Sequence, residues 1–324
     1  MGHWAMAPSD LKRKWRWLGR RPLRTCLRLG AAVLGVAVSG WLLAKIWPEP
    51  DRIARGTPPN ADNPRSLAPF PEEPVTVLIV GIDADRLGDT TNKAAPKGPA
   101  NADALVLVRI SADQPVQVLQ MPTELAVRLP GGDQPTSLSS LWLKGGVSLV
   151  NDAIREVVGL PEGVPQRYVV MPRQALRSLV DKLGEVDVIL GQSYKSEDSS
   201  QGYSVNLQAG RQRLNGAQAE QLARFRKDIL DDANRRTRQQ LLIEALIEQI
   251  KAPGGIAVIP SLVKLLDSEV ETNLSQSEQL SLAAAAIASP TPAQITQLPL
   301  AKRAGDQVLR QIRPGLAAPV WPQP

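Results

Sequence analysis

The pattern of apolar positions between residues 75 and 251 alternates between short β-rich runs and longer runs with helical spacing. The run VTVLIVGI, residues 75–82, is continuously apolar and therefore predicts a strand buried on both faces of a sheet. Further strands are predicted at residues 104–110, 116–121 and 186–190, and helices at 146–158, 172–183, 215–225 and 232–251. This alternation predicts an α/β domain with a mixed central sheet flanked by helices.

The N-terminal part of the chain contains one long apolar run, LGAAVLGVAVSGWLLAKIW at residues 29–47. Its length matches a membrane-spanning helix, and Lys45 lies near one end, where its ammonium group can reach the interface. Residues 1–28 hold eight Lys and Arg residues against Asp10 alone, so the positive-inside rule places this basic stub in the cytoplasm. The sequence thus predicts a single-pass protein of the cytoplasmic membrane whose C-terminal domain is extracytoplasmic. A cleaved signal peptide is the alternative.

Three further segments are distinguished by composition. Residues 48–74 are rich in Pro, Asn, Asp and Arg without an apolar period, which predicts a linker to the α/β domain at 75–251. Residues 252–324 predict a short helical C-terminal region that ends in a frayed, Pro-rich tail. The candidate helices of this region are 260–267, 275–288 and 292–312.

The net charge of +6 would suggest a nucleic-acid partner if it lay on the folded domain, but it is concentrated in residues 1–28. We therefore expect no nucleic-acid binding. The only cysteine is Cys26 and the only histidine is His3, and both precede the exported domain. A disulfide framework, a Ser-His-Asp triad and a His-ligated zinc site are thus excluded there, and any chemistry uses carboxylates, arginines or hydroxyls.

An arginine-rich stretch near the end of the α/β domain is the most unusual local feature. It contains Arg224 and Arg226 in the run ARFRKD, followed by Arg235 and Arg238. Counting back from Leu242 by four and then three residues reaches Arg238 and Arg235, so both extend the apolar face of the predicted helix. Guanidinium groups at a helix N-terminus match phosphate oxygens, which predicts a phosphate or pyrophosphate site. Solvent exposure, or pairing with internal carboxylates, is the alternative.

A second constellation lies at the ends of the first two predicted strands. Asp83 and Asp85 follow the first strand with Arg86 beside them, and Asp103 directly precedes the second. Ligands of open α/β sheets bind at strand ends, and carboxylates there can hold Mg²⁺ while a substrate phosphate completes its coordination. The alternative is that these carboxylates only cap turns.

An ordered series of motifs from about residue 75 to residue 251 resembles the LytR-CpsA-Psr family. The series comprises VLIVGIDADR, NADALVLVRI, VLQMPTEL, the glycine pair at 145–146, GLPEGVPQRYVV, LVDKLGEVDV, AGRQRLNGAQAEQLARFRKD and DDANRRTRQQ. Members of this family are membrane-bound phosphotransferases that move glycopolymers from a polyprenyl-pyrophosphate lipid to a cell-envelope acceptor polymer. The resemblance implies Mg²⁺ at the pyrophosphate, arginines around its oxygens, and an apolar tunnel in the α/β domain for the lipid tail.

Carried over residue by residue, the resemblance implies roles for particular side chains. Asp83 and Asp103 match the family's metal-associated aspartates, and Asp232 matches an acidic residue before its R-x-x-R-Q-Q motif. Glu124 stands where the family has an aspartate and is, with Asp232, a candidate acid or base. The catalytic candidates are Asp103, Arg226 and Arg238, and the pyrophosphate-binding candidates are Arg86, Arg224, Arg226, Arg235 and Arg238.

The chain departs from the family's pattern on the strand side of this site. Residues 101–104, NADA, replace R-S-D-T, and residues 122–124, PTE, replace P-R-D, so two arginines and a hydroxyl are missing. Losing one charge-assisted contact costs about 1.5 to 3 kcal/mol, or about one to two decades in affinity or rate. The resemblance therefore leaves two functions open: a Mg²⁺-assisted glycopolymer phosphotransferase, or a catalytically impaired relative that binds pyrophosphate lipids or scaffolds envelope partners.

Overall fold

The structure is a computed structural model that describes residues 63–89, 100–198, 203–228 and 230–322. The predicted basic stub (1–28) and transmembrane helix (29–47) lie outside these ranges, as does most of the predicted linker. The last part of the predicted linker is not a linker, because Leu67 and Ala68 are buried in an apolar cluster of the folded domain. Among the described residues, no helix is both long enough and apolar enough to cross a membrane. The membrane anchor therefore stays a prediction.

A six-stranded mixed sheet forms the centre of the folded domain. In chain order the strands are β1 (Val75–Ile82), β2 (Ala102–Ile110), β3 (Gln117–Met121), β4 (Ala126–Val127), β5 (Thr136–Ser137), β6 (Arg167–Met171), β7 (Val186–Leu190), β8 (Tyr194–Asp198), β9 (Tyr203–Leu207), β10 (Gly210–Leu214), β11 (Glu271–Thr272) and β12 (Gln294–Gln297). The order in the central sheet is β11-β6-β1-β2-β3-β12, and the other strands pair as β4-β5, β7-β10 and β8-β9. β1 runs antiparallel to β2 and parallel to β6, which confirms the mixed sheet.

The helices of the described region surround this sheet. They are α1 (Leu141–Val158), α2 (Arg173–Leu183), α3 (Gly216–Arg224), α4 (Asp232–Lys251), α5 (Gly255–Leu266) and α6 (Gln276–Ala288). Gly159 and Gly184 adopt positive φ angles of 77° and 84° and terminate α1 and α2, a conformation that glycine adopts without steric cost. Capping boxes at Asn215 and Ser275 begin α3 and α6. The predicted boundaries of α2, α3 and α4 are confirmed to within one residue.

The two faces of the central sheet are packed differently. Leu105 and Leu107 of β2 join Ile154 of α1 in a closed apolar core. Val106 and Val108, which alternate with them, contact apolar residues of α4 and α6 on the opposite face. Strand β2 therefore separates a filled core from a second face that is covered by the arginine-bearing helix α4.

The C-terminal region belongs to the same sheet, because β11 pairs with β6 and β12 pairs with β3 at its two edges. The predicted helix at 292–312 is wrong: β12 and irregular chain occupy those residues. Prolines at 292 and 299 disfavour a helix, and pairing with β3 satisfies the backbone instead. The predicted frayed tail is also wrong, since Trp321 is 3% exposed and packs into the core on the α1 side. The predicted helix at 275–288 is confirmed.

Candidate functional site

A cavity of about 320 Å³ lies between the central sheet and the helices α2, α4 and α6. Its sheet wall uses alternate residues from one face of β2: Ala104, Val106, Val108 and Ile110. Its helix wall uses residues of α4 that share one face by their spacing: Leu242, Ile243, Leu246, Ile247 and Ile250. Because these walls are aliphatic, the cavity suits an apolar chain.

The two ends of the cavity are polar. At one end lie Asp103, Arg224 and Gln239, where β2 and α4 both begin. At the other end lies Lys251, whose Nζ donates a hydrogen bond to the carbonyl oxygen of Ser289 at 2.8 Å. An α-helix rises about 1.5 Å per residue, so the lining from Gln239 to Lys251 spans about 18 Å. The cavity is thus a short apolar tunnel with a charged mouth.

Asp103 is surrounded at this mouth by three guanidinium groups, those of Arg224, Arg226 and Arg235 (the mouth arginines). Arg235 Nη1 lies 2.8 Å from Asp103 Oδ1, Arg224 Nε lies 3.6 Å from Oδ2, and Arg226 Nη2 lies 3.8 Å from Oδ1. Arg235 also donates to Thr123 Oγ1 at 2.8 Å. The side chain of Arg235 is only 2% exposed, whereas that of Arg226 is 39% exposed. Arg226 is therefore the mouth arginine that a ligand reaches most easily.

The turn between α3 and α4 brings the mouth arginines together. Helix α3 ends at Arg224, and Phe225 leaves the helical conformation with φ of −51° and ψ of 131°. Asp232 opens α4, where a helix N-terminus favours negative charge. Its Oδ1 lies 3.0 Å from Arg235 Nη2 and 3.1 Å from Arg226 Nη2. One carboxylate thus holds arginines from both sides of the turn.

Gln239 fixes the position of α4 against the rest of the mouth. Its Nε2 donates to the carbonyl oxygens of Asp103 at 3.3 Å and Ala223 at 3.2 Å. These two bonds link the start of β2, the end of α3 and the second turn of α4. Gln239, the first glutamine of the R-x-x-R-Q-Q motif, therefore positions α4 against β2 and α3.

The positive charge at the mouth is not fully compensated. Burial alone would raise the pKa of Asp103, but the mouth arginines outweigh burial and hold this pKa below its ordinary value. Asp103 is therefore ionised and only accepts hydrogen bonds. Burial and the neighbouring Arg235 lower the pKa of Arg226, and the nearby carboxylates offset only part of this effect. An anion beside Arg226 would oppose that shift, so the electrostatics favour an anionic ligand.

Two neighbouring arginines, Arg236 and Arg238 (the interior arginines), contact other carboxylates. Arg236 Nη1 donates to both oxygens of Glu124, at 2.5 and 2.7 Å. Glu124 was a candidate acid or base, but it is only 4% exposed and is occupied by this pair. Arg238 was predicted to bind pyrophosphate and to act in catalysis. The structure instead places its Nη2 2.8 Å from Asp231 Oδ2.

Arg238 is also held between two aromatic rings. Its guanidinium carbon lies 5.2 Å from the ring centroid of Tyr194 and 5.1 Å from that of Phe225, and it donates to the Phe225 carbonyl oxygen. Cation–π contacts of this kind stabilise a buried guanidinium. Arg238 therefore positions the segment that carries Arg224 and Arg226, through its contacts with Asp231 and Phe225.

Two arginines of α2, which no motif indicated, pair with Glu220, a carboxylate that also lies 3.3 Å from the mouth arginine Arg224. Arg173 Nη1 lies 2.9 Å from Glu220 Oε1 and its Nη2 lies 3.3 Å from Asp85 Oδ1, and Arg177 contacts the same two carboxylates. Burial alone would raise the pKa of Glu220, but hydrogen bonds from Arg177 and Arg173 outweigh burial and lower it. The available sequence signal was a pair of arginines four residues apart on the helix that follows Pro172.

The remaining predicted site residues, Asp83 and Arg86, follow β1. Asp83 Oδ1 accepts a hydrogen bond from the Asn101 N–H at 2.6 Å, and its carbonyl oxygen accepts one from Arg173 Nε at 2.9 Å. Arg86 is exposed and lines a second, more polar cavity that also contains Glu269. The structure thus brings Asp103, Asp232 and the mouth arginines together but places Arg86 in a different cavity.

The carboxylates at the mouth do not form a ready metal site. No group of three or more His, Cys, Asp or Glu side chains that could hold an ion occurs within residues 63–89, 100–198, 203–228 and 230–322. Both oxygens of Asp103 face guanidinium groups, whose charge opposes a cation. The arrangement therefore does not fit Mg²⁺ without movement of the arginines. Magnesium stays a prediction, and no chemical step proposed for this protein relies on it.

Comparison with known protein families identifies the class of protein to which this fold and its arginine-lined mouth belong. A sequence profile of the LytR_cpsA_psr family matches residues 51–312. Because this match covers most of the chain, the protein belongs to the LytR_cpsA_psr family.

Two curated relatives carry the name polyisoprenyl-teichoic acid–peptidoglycan teichoic acid transferase. TagV of Bacillus subtilis is 25% identical over 237 residues, which are 72% of this chain and 57% of TagV. TagU of Enterococcus faecalis is 24% identical over 205 residues, which are 63% of each chain. This chain thus spans about three fifths of the length of these relatives.

Solved structures show the same fold. The crystal structure of B. subtilis TagV matches with a TM-score of 0.61 at 20% identity and covers 75% of this chain and 92% of that chain. The structure of TagT bound to LIIa-WTA matches with a TM-score of 0.56 at 23% identity and covers 80% of this chain and 92% of that chain. At these identities the likeness concerns the fold alone.

Proposed function

We propose that this protein transfers a glycan from a polyprenyl-pyrophosphate carrier to a cell-envelope acceptor polymer. The junction between the apolar tunnel and the mouth arginines is the observation that carries this proposal. A polyprenyl pyrophosphate joins an apolar tail to an anionic head, and the tunnel and the arginines adjoin in the same order. The names of the related transferases TagV and TagU support the same class of activity.

In the proposed reaction, an acceptor hydroxyl attacks the phosphorus that bears the glycan. The bond from this phosphorus to the oxygen of the polyprenyl phosphate breaks, and the lipid leaves as polyprenyl phosphate, which takes up the hydroxyl proton. The acceptor gains the glycan phosphate. The mouth arginines neutralise the charge on the transferring and leaving phosphates, which is the main requirement of phosphoryl transfer.

Asp103 has an orienting role in this proposal. Its lowered pKa makes it a weak base at neutral pH, but its ionised oxygens accept the hydrogen bond that fixes Arg235. One of them can also accept a hydrogen bond from the acceptor hydroxyl when a pyrophosphate draws Arg226 outward. Asp103 would thus place both the guanidinium and the attacking hydroxyl.

The predicted topology complements this chemistry. With the basic stub in the cytoplasm and a transmembrane helix at 29–47, the folded domain would face the outer side of the cytoplasmic membrane. Lipid-linked glycans are presented to the envelope on that side. A linker at 48–62, before the residues that pack on the folded domain, would allow the tunnel mouth to approach the bilayer surface, from which the lipid is withdrawn.

A catalytically impaired binding protein is the second candidate function. The loss of two arginines and a hydroxyl on the strand side favours it, because Thr123 and Glu124 now contact Arg235 and Arg236. Turnover separates the candidates. We expect the full-length protein to cleave a polyprenyl-pyrophosphate sugar slowly and Asp103→Ala to be at least about tenfold slower. Binding without cleavage, equal in both proteins, would establish the impaired relative.

The affinity for isoprenyl pyrophosphates of increasing length tests the site assignment. An extended isoprene unit contains four backbone bonds and is roughly 4 to 5 Å long, so the tunnel encloses about four units. We expect each unit up to C20 to strengthen binding by at least about tenfold, because each buries about five carbons. Longer chains should gain little, since the tunnel lining along α4 ends at Lys251. No binding at any length would refute the proposed function.

A further inference from the structure

The far end of the tunnel is defined by the residues at which its walls stop. Strand β2 and helix α4 both begin at the mouth, so Ile110 and Lys251, at which they end, lie at the opposite end, and both line the tunnel. After Lys251 the backbone leaves the helical conformation, since Ala252 has φ of −64° and ψ of 155°. The α4 wall is aliphatic at its lining positions from Leu242 to Ile250 and therefore ends at a charged side chain.

The side chain of Lys251 crosses from α4 to α6 at this end. Its Nζ donates to the Ser289 carbonyl oxygen at 2.8 Å and to Ser289 Oγ at 3.2 Å. Ser289 directly follows α6, and its hydroxyl in turn donates to the Ala286 carbonyl oxygen at 2.8 Å. Ala286, within one turn of Ser289, lines the tunnel. The methylene stem of Lys251 thus spans the distance between two helices that wall the tunnel.

These hydrogen bonds hold the stem of Lys251 in place. Ser289 is 4% exposed, and its carbonyl lies at the end of α6, where carbonyl oxygens have no donor within the helix. Displacing Lys251 would leave this acceptor of a buried residue without its donor, which is unfavourable. Burial also lowers the pKa of Lys251, and no carboxylate of the described residues offsets this effect. The ammonium is therefore partly withdrawn from water and fixed to α6.

We propose that Lys251 closes the far end of the tunnel and thereby sets the number of isoprene units that the tunnel encloses. This inference rests on the proposed function, because it takes an isoprenyl tail to be the occupant. The stem of Lys251 would contact the last enclosed unit, and the further units of a longer tail would remain outside the lining. A lysine at this position can also serve α6 alone, as a cap for its last carbonyl groups. The two roles differ in what happens to tail-length preference when the stem is removed.

The Kd values of isoprenyl pyrophosphates from C10 to C30 for the full-length protein test this role. Lys251→Ala removes about four heavy atoms, roughly the room of one isoprene unit. We therefore expect its affinity to rise about tenfold further from C20 to C25 and then to level off, whereas the wild type levels off at C20. Both proteins should bind the C10 compound equally, because so short a tail ends before it reaches Lys251. Lys251→Arg keeps a long stem and a donor, so it should level off at C20.

Two further variants control for charge and for folding. Lys264→Ala removes an exposed lysine of α5 outside the tunnel lining and should give the wild-type profile. Ala286→Leu keeps the Lys251 hydrogen bonds and tests the same end even if Lys251→Ala does not fold. Its larger side chain should occupy the place of the last isoprene unit, so its affinity should level off at C15. The two substitutions thus shift the preferred tail length in opposite directions.

The inference about Lys251 and the proposed function fail in different ways. The inference is overturned if wild-type affinity continues to rise beyond C20, or if Lys251→Ala binds C10 as the wild type does and still levels off at C20. Levelling at C20 in Ala286→Leu would contradict it as well, because the far end would then not limit the tail. If the wild type binds no isoprenyl pyrophosphate of any length, the proposed function itself is refuted.

Discussion

The mouth arginines and the interior arginines come from one short stretch of chain, residues 224–238, but their environments differ. Each interior arginine has a carboxylate of its own, Glu124 for Arg236 and Asp231 for Arg238. The mouth arginines share carboxylates: Arg226 and Arg235 both contact Asp103 and Asp232, and Arg224 contacts Asp103 and Glu220. The side chain of Arg226 remains 39% exposed. The comparison teaches that neighbouring arginines can differ in role according to whether their charge is already matched and whether a ligand can reach it.

The largest expected effect is the loss of an interior pair. Arg236→Ala leaves the Glu124 carboxylate buried without its cation, which should lower the free energy of unfolding by about 3 to 5 kcal/mol. Urea denaturation followed by circular dichroism measures this change. The double variant Arg236→Met with Glu124→Leu should recover most of the stability. A single variant as stable as the wild type would remove the distinction between the two groups.

The next effect concerns the planar geometry of a mouth arginine. Arg235 contacts Asp103, Thr123 and Asp232 through two terminal nitrogens, an arrangement that a lysine ammonium cannot reproduce. We expect Arg235→Lys to weaken binding of C20 isoprenyl pyrophosphate about tenfold to hundredfold. Titration calorimetry measures the change, with Arg155→Lys, a partly exposed arginine of α1, as control. Unchanged affinity would show that only charge at this position matters.

Acidification should destabilise the fold, because it protonates the carboxylates that pair with both groups of arginines. Arginine neighbours lower the pKa values of Asp103 and Glu220 in the folded protein despite burial. Hydrogen bonds from the Asn234 side chain, the Lys227 backbone and Arg238 likewise outweigh burial and lower the pKa of Asp231. A carboxylate whose pKa is lower when folded stabilises the fold above its unfolded pKa, and this contribution is lost as pH falls through the folded pKa. Stability should thus be nearly constant from pH 7 to 5 and fall below about pH 4, by about 1.4 kcal/mol per unit of pKa difference. Urea midpoints that rise between pH 5 and 3 would contradict this sign.

The smallest expected effect is the change in the free energy of unfolding for Arg226→Ala, a variant of the most exposed mouth arginine. Arg226 shares its carboxylates with Arg235, so Arg226→Ala leaves neither Asp103 nor Asp232 without a cation. We expect a change in the free energy of unfolding within about 0.5 kcal/mol. Thermal and urea unfolding beside Arg236→Ala make the comparison direct. A loss similar to that of Arg236→Ala would assign Arg226 to the interior group.

The sequence predicted the regular elements well where apolar spacing and end signals agree. The run at 75–82 became β1, and Gly184 and Asn215 marked the end of α2 and the start of α3. The helix predicted at 292–312 is wrong for two reasons. Prolines interrupt the apolar spacing there, and residues 294–297 instead pair with β3, which is far away in the chain. Edge strands of this kind depend on tertiary contacts that local patterns do not contain.

The candidate site was only partly predictable for a related reason. Spacing correctly placed Arg235 and Arg238 on the buried side of α4, but it could not show that Arg238 meets Tyr194 and Asp231 instead of the mouth. The contribution of Arg173 was missed because its partners, Asp85 and Glu220, come from two other segments. Spacing gives the face of a helix, whereas the partner on that face is set by the assembled fold.

The central claim is that the mouth arginines hold an external pyrophosphate at the end of the apolar tunnel. Its most direct test is the Kd of C20 isoprenyl pyrophosphate for the wild type and for Arg226→Ala, with the C20 alcohol as a ligand that lacks the head group. We predict a Kd at least about tenfold higher for the variant with the pyrophosphate and equal Kd values with the alcohol. Equal affinity of both proteins for the pyrophosphate would contradict the claim.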